Sequence, residues 1–440
     1  MLLLALLAMQ LGPNLAISAG YQLLVSGSSA WVALGCAAVV AYLVAITLGR
    51  LARDHEVSPT ILSFAQRTLP RWAVNATAGS LLVGYLIGTA TGVVGVTIYL
   101  QSIVSGTLAP GSDPALMSAL LICVTAALIG FCAYRGLDLS TKVASVLGAA
   151  CLPLAIYVTY AAARSYRFDV HALMSLEGLS LPDLLHGIFV ALGFYVGFDG
   201  CAMLVEEASA PRSMVPRLLR HTVLIAGMVV TVGALFQTPP LLGNIAAVDA
   251  GESPTRILMG AAHMSMSDIA VDLVLAAAIL AGLIAWQNFS AGVLAAASRD
   301  GFLPRSLAEL HPRFKSPHRA VVLLSVIAAV LPLGLVLSVH AVPIVATLYL
   351  SHIIVILWLI PYLLVCAGAM VRREATLAAT LGFLALAAIL GVEILSPIDR
   401  TALVMNVMGL AVISAGTFAF GRARRASDAQ GPLRAPLEIR

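Results

Sequence analysis

The chain has 440 residues, of which 60% are hydrophobic and only 10% are charged. A soluble globular domain carries about 25% charged residues, so this composition excludes that class and predicts an all-α polytopic membrane protein in contact with a lipid bilayer. The net charge of +4 comes from basic residues between the apolar runs, and it indicates no nucleic-acid partner.

Twelve apolar runs are long enough to cross a hydrocarbon core of roughly 30 Å as helices. They cover residues 2–25, 30–50, 77–106, 115–134, 142–163, 184–206, 218–241, 269–297, 319–338, 341–366, 375–395 and 401–421. The sequence therefore predicts 12 transmembrane helices. Two shorter features lie between them: a short helix within 51–76, preceded by Ser58-Pro59, and an external loop, 242–268, that caps the outer mouth.

The basic residues predict the orientation, because cytoplasmic loops of membrane proteins are enriched in Lys and Arg. If the N- and C-termini are cytoplasmic, only four of the 25 basic residues face outside: Arg164, Arg167, Arg256 and Arg400. Only Lys142 and Lys315 of the 25 are lysines, which together with the many alanines indicates a GC-rich bacterial genome. We therefore expect a multi-pass protein of the bacterial cytoplasmic (inner) membrane.

The sequence offers no chemistry for an enzyme. The six cysteines lie in apolar runs and form no CxxC pair, so we expect no metal site and no cofactor. There is no GxxxxGK[ST], HExxH or GxSxG motif, which argues against an ATP-driven pump, a zinc enzyme and a serine hydrolase.

The sixth run contains a polar interruption, with Asp199 among Gly193, Gly197 and Gly200. A carboxylate at membrane depth is costly unless it faces protein or water, and irregular backbone there must line a cavity or be buried in protein. The first run has Gly12-Pro13-Asn14 in its middle. Paired breaks five helices apart are typical of a transporter with its substrate site between them, although two ordinary kinks would give the same pattern.

Two stretches resemble a known family. GFYVGFDG followed by EEASAPRSMVPR resembles the sixth-helix signature of the amino acid–polyamine–organocation (APC) permeases, and residues 295–321 resemble the loop between their eighth and ninth helices. The resemblance implies a LeuT-type 5+5 inverted repeat plus two C-terminal helices. The repeats would be residues 1–163 and 184–366, followed by helices 11 and 12 within 375–421 and a cytoplasmic tail, 422–440.

The resemblance also implies the substrate-binding residues. Gly12, Pro13 and Asn14 fall where the first helix of the family unwinds to receive a substrate carboxylate. Trp286 stands where some relatives place an aromatic wall of the pocket. Five residues fall where backbone carbonyls receive the amino group: Phe194, Tyr195, Val196, Gly197 and Phe198. The position of Gly193 holds a gating tryptophan in some basic-amino-acid exchangers, so the pocket should have a different shape here.

Coupling and gating residues stay open between alternatives. Asp199 could hold a proton, pair with a substrate ammonium group, or join two helices. Glu206 and Glu207 could form an inner gate with Arg299 or be solvated at the headgroups. Lys142 lies at the cytoplasmic end of the fifth helix, whereas some proton-coupled relatives carry a lysine about two turns into it.

Other ionisable and small residues within the spans allow two interpretations each. His352 and Glu393, each alone in its span, could form hydrogen bonds between helices or relay protons. Tyr85, Gly88 and Thr89 could line the pocket or pack against a neighbouring helix.

Taken together, these features predict a secondary transporter, a permease of amino acids or related amines. It would work by alternating access, with helices 1, 2, 6 and 7 rocking as a bundle, and would be coupled to H⁺ or run as an exchanger. The alternatives are a polyamine or nucleobase cation symporter on the same fold and a non-transporting nutrient sensor.

Overall fold

The computed structural model describes residues 2–54, 61–104, 113–135, 139–166, 179–199, 211–264, 268–299, 301–338, 340, 342–374 and 376–429. All regular secondary structure in these ranges is helical. The helices are α1 (Leu2–Ser26), α2 (Ala30–Asp54), α3 (Ile61–Thr68), α4 (Arg71–Ile103), α5 (Pro114–Tyr134), α6 (Leu139–Ser165), α7 (Leu181–Leu192), α8 (Pro211–Leu242), α9 (Ile245–Asp249), α10 (Pro254–Ala261), α11 (Asp268–Arg299), α12 (His318–Ser338), α13 (Pro343–Val371), α14 (Thr376–Leu395) and α15 (Arg400–Ala429).

The protein is a multi-pass helical membrane protein. Within the described part of the chain, nine helical segments are long and apolar enough to cross a membrane, and the first of them, Pro13–Arg53, contains most of α1 and α2. A long helix covers each predicted apolar run except the sixth, where α7 has only 12 residues.

The short helices also follow the sequence. The predicted helix after Ser58-Pro59 is α3, and the loop 242–268 contains α9 and α10. The α10 helix packs on α1, because a methyl group at Gly20 would lie 2.5 Å from Cγ of Pro254. The last helix, α15, continues to Ala429, beyond the predicted end at residue 421. Residues 421–429, GRARRASDA, include only one glycine and no proline, so nothing in them stops a helix.

The centre of the molecule is the contact between α4 and α13, which are the most buried long helices. The Ser80 hydroxyl of α4 donates to the Leu357 carbonyl of α13 at 2.6 Å, and the Trp358 ring lies against Gly84. The outer helices α5 and α12 leave large apolar side chains exposed, as is expected of surfaces that face lipid. The α4–α13 pair therefore forms the buried wall beside which the functional site lies.

Candidate functional site

The sixth span is broken in the structure, which confirms the prediction for this span. The α7 helix ends at Leu192, residues 193–197 continue as turns, and residues 198–199 have 3-10 geometry. Gly197 has φ +84°, a left-handed conformation that costs a residue with a side chain roughly 1–2 kcal/mol. The following residues, 200–210, lie outside those that the structure describes.

A tyrosine from α13 stabilises the break. The Gly197 N–H donates to the Tyr362 hydroxyl at 3.3 Å, and that hydroxyl donates to Oδ1 of Asp199 at 2.7 Å. Asp199 and Tyr362 are both buried. One hydroxyl therefore satisfies a backbone donor freed by the break and a carboxylate at membrane depth, both of which would be costly without a partner.

The first span differs from the prediction, because α1 is continuous from Leu2 to Ser26 with Pro13 inside it. Proline removes only the one hydrogen bond that its own N–H would make, and the donors on either side can remain in the helix. Gly12, Pro13 and Asn14 are therefore helical here rather than unwound. Asn14 nevertheless contacts the broken sixth span, where its Nδ2 donates to the Phe194 carbonyl at 3.3 Å.

A cavity of about 290 Å³ lies between α1, α4, the broken span, α11 and α13. Its walls are aliphatic and aromatic side chains with a few hydroxyl and amide groups. The lining residues are Pro13, Asn14, Ile17, Tyr21, Gly88, Thr91, Gly92, Gly95, Val190, Gly193, Phe194, Val196, Ile279, Trp286, Thr347, Ser351, Ile354 and Trp358. Among the residues that the structure describes, this lining includes no acidic, basic or histidine side chain.

Of the nine predicted binding residues, five line the cavity: Pro13, Asn14, Phe194, Val196 and Trp286.

The side chains of Tyr195 and Phe198 instead point into the protein. The Tyr195 hydroxyl donates to the Leu34 carbonyl of α2 at 3.3 Å, and the Phe198 ring packs 5.7 Å from the Tyr362 ring. These two residues therefore anchor the turns to the neighbouring helices.

Trp286 forms the wall between the break and α4. A methyl group at Gly88 would lie 3.0 Å from its ring, and one at Gly197 would lie 3.3 Å from it. Its ring also packs against Tyr85 and Trp358, at centroid distances of 5.4 and 6.2 Å. Its Nε1 is buried and makes no hydrogen bond within the described part of the protein. The cavity wall thus holds an indole donor without a partner.

Sequence reasoning missed most of the cavity residues on α4 and α13. Of the three residues on α4 that could line the pocket or pack against a helix, Gly88 lines the cavity. Tyr85 packs behind Trp286, and Thr89 is buried with its hydroxyl donating to the Tyr85 carbonyl. Helical spacing was the available signal. Four lining residues on each helix follow one face: Gly88, Thr91, Gly92 and Gly95 on α4 lie at positions i, i+3, i+4 and i+7, and Thr347, Ser351, Ile354 and Trp358 on α13 follow at intervals of three or four.

Of the five predicted coupling and gating residues, the structure describes the side chains of two, Asp199 and Arg299. Asp199 does not line the cavity and is bound to Tyr362, which favours the reading as a carboxylate that joins two helices. Arg299 is exposed at the end of α11. Glu206 and Glu207 lie outside the described residues, and of Lys142 only the backbone is described, within α6.

Comparison with known proteins identifies a matching family and several relatives. The family model described as "Amino acid permease" matches residues 4–396. The branched-chain amino acid permease BcaP of Bacillus subtilis is 21% identical over 333 residues, 73% of this chain and 70% of that protein. An uncharacterized transporter of Mycobacterium tuberculosis is 26% identical over 314 residues, 70% of this chain and 66% of that protein.

A third relative carries a different substrate in its name. The methylthioribose transporter of Bacillus subtilis is 24% identical over 330 residues, 72% of this chain and 68% of that protein. The family match covers nearly the whole described region, including the broken span and the cavity, and the named relatives are transporters rather than enzymes. The chain belongs to the amino acid permease family, within the amino acid–polyamine–organocation superfamily.

Proposed function

We propose that this permease carries a neutral amino acid with an apolar side chain, held in the cavity between α1 and the broken span. The observation that carries the proposal is the uncharged, largely apolar lining of the described cavity. An arginine or a polyamine would bring a cationic group into this space with no carboxylate on the described walls to pair with it, and an unpaired buried charge is costly. An aliphatic side chain would gain by contact with Ile17, Val190 and Ile354.

The polar groups of the cavity suit the ends of a zwitterion. Asn14 offers an amide donor to the carboxylate, and Thr347 and Ser351 offer hydroxyl oxygens to the ammonium group. The volume of about 290 Å³ is at the lower end of the range of roughly 300–1,000 Å³ typical of drug-sized ligands. A single amino acid is a ligand of that smaller size. The name of one relative, a branched-chain amino acid permease, agrees with this class.

The transport cycle that we propose is secondary and alternating. The chain would have twelve spans, with inverted repeats at 1–163 and 184–366, two further helices within 375–421, and both termini in the cytoplasm. The bundle of spans 1, 2, 6 and 7 would rock to expose the cavity to each side in turn. A proton or a second substrate would drive the cycle.

The test is L-leucine counterflow into proteoliposomes, with L-isoleucine, L-valine, L-arginine, spermidine, adenine and methylthioribose as competitors. We expect the branched-chain amino acids to compete and the cationic compounds not to. In detergent, L-leucine at 100 times its dissociation constant should stabilise the protein by about 2.7 kcal/mol. Counterflow inhibited only by spermidine or adenine would replace the amino acid by a polyamine or a nucleobase. Binding without counterflow would favour a sensor.

A charge placed in the cavity sharpens this test. The Ser351→Asp variant puts a carboxylate on the α13 wall, so competition by L-arginine should rise while that by L-leucine falls. Ser351→Ala is the matched control, because it removes the hydroxyl without adding charge and should not favour L-arginine. If Ser351→Asp leaves the ratio of competition by L-arginine to competition by L-leucine unchanged, the substrate does not occupy this cavity.

A further inference from the structure

Four helices meet at a buried cluster of ionisable side chains outside the cavity. His186 of α7 lies with its Nδ1 2.7 Å from Oε2 of Glu393 on α14. His352 of α13 lies with its Nε2 3.4 Å from Oε1 of the same carboxylate. The side chains of His186, Glu393 and His352 are only 6%, 2% and 12% exposed. The sequence suggested that His352 and Glu393 are each alone in the membrane region. In the structure they are instead part of one cluster.

An asparagine on α15 fixes the proton positions on one side of this cluster. The amide of Asn406 lies 2.7 Å from the Glu393 backbone carbonyl, which can only accept, so the atom there is the Nδ2 donor. Its Oδ1 consequently faces Nε2 of His352, at 2.8 Å, and that nitrogen must carry a hydrogen. The geometry therefore fixes the tautomer of His352. Two nitrogens are donors here: Nε2 of His352 points to the amide oxygen of Asn406, and Nδ2 of Asn406 points to Glu393.

The charge of the cluster then depends on one proton. With both imidazoles neutral and Glu393 ionised, the cluster carries one negative charge, and with one more proton on the His186–Glu393 pair it is electroneutral. A net charge enclosed by protein at membrane depth is costly, whereas a neutral, fully hydrogen-bonded group is tolerated. The cluster is therefore a site that can take up and release a single proton.

Few other charges of the described residues lie near this site. On α7 itself, Asp183 lies about one turn before His186, is exposed, and accepts a hydrogen bond from the Ser180 hydroxyl at 2.5 Å. Asp399, exposed at the start of α15, is the other carboxylate that acts on His352, and it caps that helix through the Ala402 N–H at 2.6 Å. The α1 helix has no charged residue. On α2, Ala33 contacts α7 at Gly187, and Arg50 follows 17 residues later, about 25 Å along the helix. The charge of the cluster is thus set mainly by its own proton.

The cluster is connected to the cavity through α7. Val190, which lines the cavity, lies one helical turn after His186, and the Phe189 ring packs 4.7 Å from the His352 ring. On α13, the cavity residue Ser351 is adjacent to His352. Movement of α7 against α13 and α14 would lengthen the His186–Glu393 contact and change how tightly the proton is held. By reciprocity, the proton must then bias the position of α7.

We propose that the His186–Glu393–His352–Asn406 cluster is the proton-binding site that couples a proton gradient to the movement of α7, and hence to transport. This rests on the proposed function, because the coupled movement is that of the cavity wall. The proton is taken up from water on one side of the membrane and released to water on the other, and within the cluster it is bound by an imidazole nitrogen or the carboxylate, so no covalent step or further reactant is involved.

The key variant is Glu393→Gln, which keeps hydrogen-bonding capacity but is neutral without an added proton. The control is Glu309→Gln, the same change in a half-exposed pair with Arg319 (3.0 Å). The first measurement needs no substrate: the thermal unfolding midpoint in detergent between about pH 5 and 8, where imidazoles commonly titrate. The two histidines titrate in the unfolded state of both proteins, so their contribution cancels in the comparison. Because only the folded wild type holds the extra proton, the difference between the midpoints of the wild type and Glu393→Gln should shrink as pH rises and this proton is lost. Parallel curves for the two proteins would overturn the site.

The second measurement is L-leucine transport in proteoliposomes. An inward gradient of about one pH unit can drive up to roughly tenfold accumulation if one proton accompanies each substrate. We expect wild type and Glu309→Gln to accumulate L-leucine, and Glu393→Gln to keep counterflow but lose gradient-driven accumulation. Accumulation by Glu393→Gln at the wild-type level would overturn the proposal, as would a wild type indifferent to the gradient.

The two proposals fail separately. If the wild type shows no L-leucine counterflow, the proposed substrate is wrong, and the pH dependence of unfolding still decides whether the cluster binds a proton. If Glu393→Gln does not fold, His186→Gln takes its place in both measurements, because the glutamine amide can donate to Glu393 but cannot accept a proton.

Discussion

The first and sixth spans both carry helix-weakening residues, and they have different structures. Pro13 lies inside a continuous α1, whereas the sixth span opens after Leu192. At Gly197 a neighbouring helix supplies a partner, the Tyr362 hydroxyl, for the freed N–H, and the same hydroxyl holds Asp199. Away from water, a helix can open only where other groups replace its lost hydrogen bonds. The comparison indicates that such partners decide where a span breaks, more than its own glycines and prolines do.

The largest effect is expected from Tyr362→Phe, because it removes the partner that distinguishes the broken span. The Gly197 N–H and the Asp199 carboxylate would both stay buried but lose this hydrogen-bond partner, which costs roughly 1–3 kcal/mol of stability for each group and more for a charged one. We expect a marked fall in the unfolding midpoint in detergent and loss of L-leucine counterflow. Tyr349→Phe, on the same helix, is the control. Equal midpoints for the two variants would show that the hydroxyl does not hold the break.

A smaller effect is expected from Gly197→Ala, which tests the backbone of the break itself. The left-handed conformation would cost the alanine about 1–2 kcal/mol, and its Cβ would lie 3.3 Å from the Trp286 ring. The free energy of unfolding should fall by that amount, with weaker L-leucine competition because the ring must shift. Gly292→Ala is the matched control, since a methyl group there meets nothing within 4 Å. A Gly197→Ala variant as stable as this control would contradict the left-handed turn.

The smallest effect is expected from Asn14→Ala, which removes the 3.3 Å hydrogen bond between the two compared spans. A typical hydrogen bond contributes about 0.5–1.5 kcal/mol, so the loss of stability should be modest. Gln22→Ala is the control, because it removes two other hydrogen bonds of α1, to the Gly187 carbonyl at 2.9 Å and the Ser26 hydroxyl at 2.7 Å, away from the cavity lining. Only Asn14→Ala should weaken L-leucine binding. If both variants bind L-leucine equally, Asn14 does not contact the substrate.

Sequence reasoning found the membrane class, the positions of the long helices and the break in the sixth span. These follow from local patterns: apolar length, and glycines around an acidic residue. It did not find Trp358 as a cavity residue or His186 as the partner of Glu393, which is 207 residues away. Such pairings depend on which helix faces meet, and one sequence contains little information on that. The continuous α1 was missed for the same reason, since partners for an opening at Pro13 would have to come from other helices.

The aromatic wall of the cavity has a practical consequence for optical measurements. The chain contains four tryptophans, and two of them, Trp286 and Trp358, line the cavity, with Tyr85 packed against both rings. Replacing Trp31 and Trp72 by phenylalanine would confine the indole emission of the protein to that wall. Its intensity and wavelength would then report directly on occupancy of the cavity and on its hydration. The permease thus contains its own fluorescent reporter, and substrate entry could be followed in real time without a label.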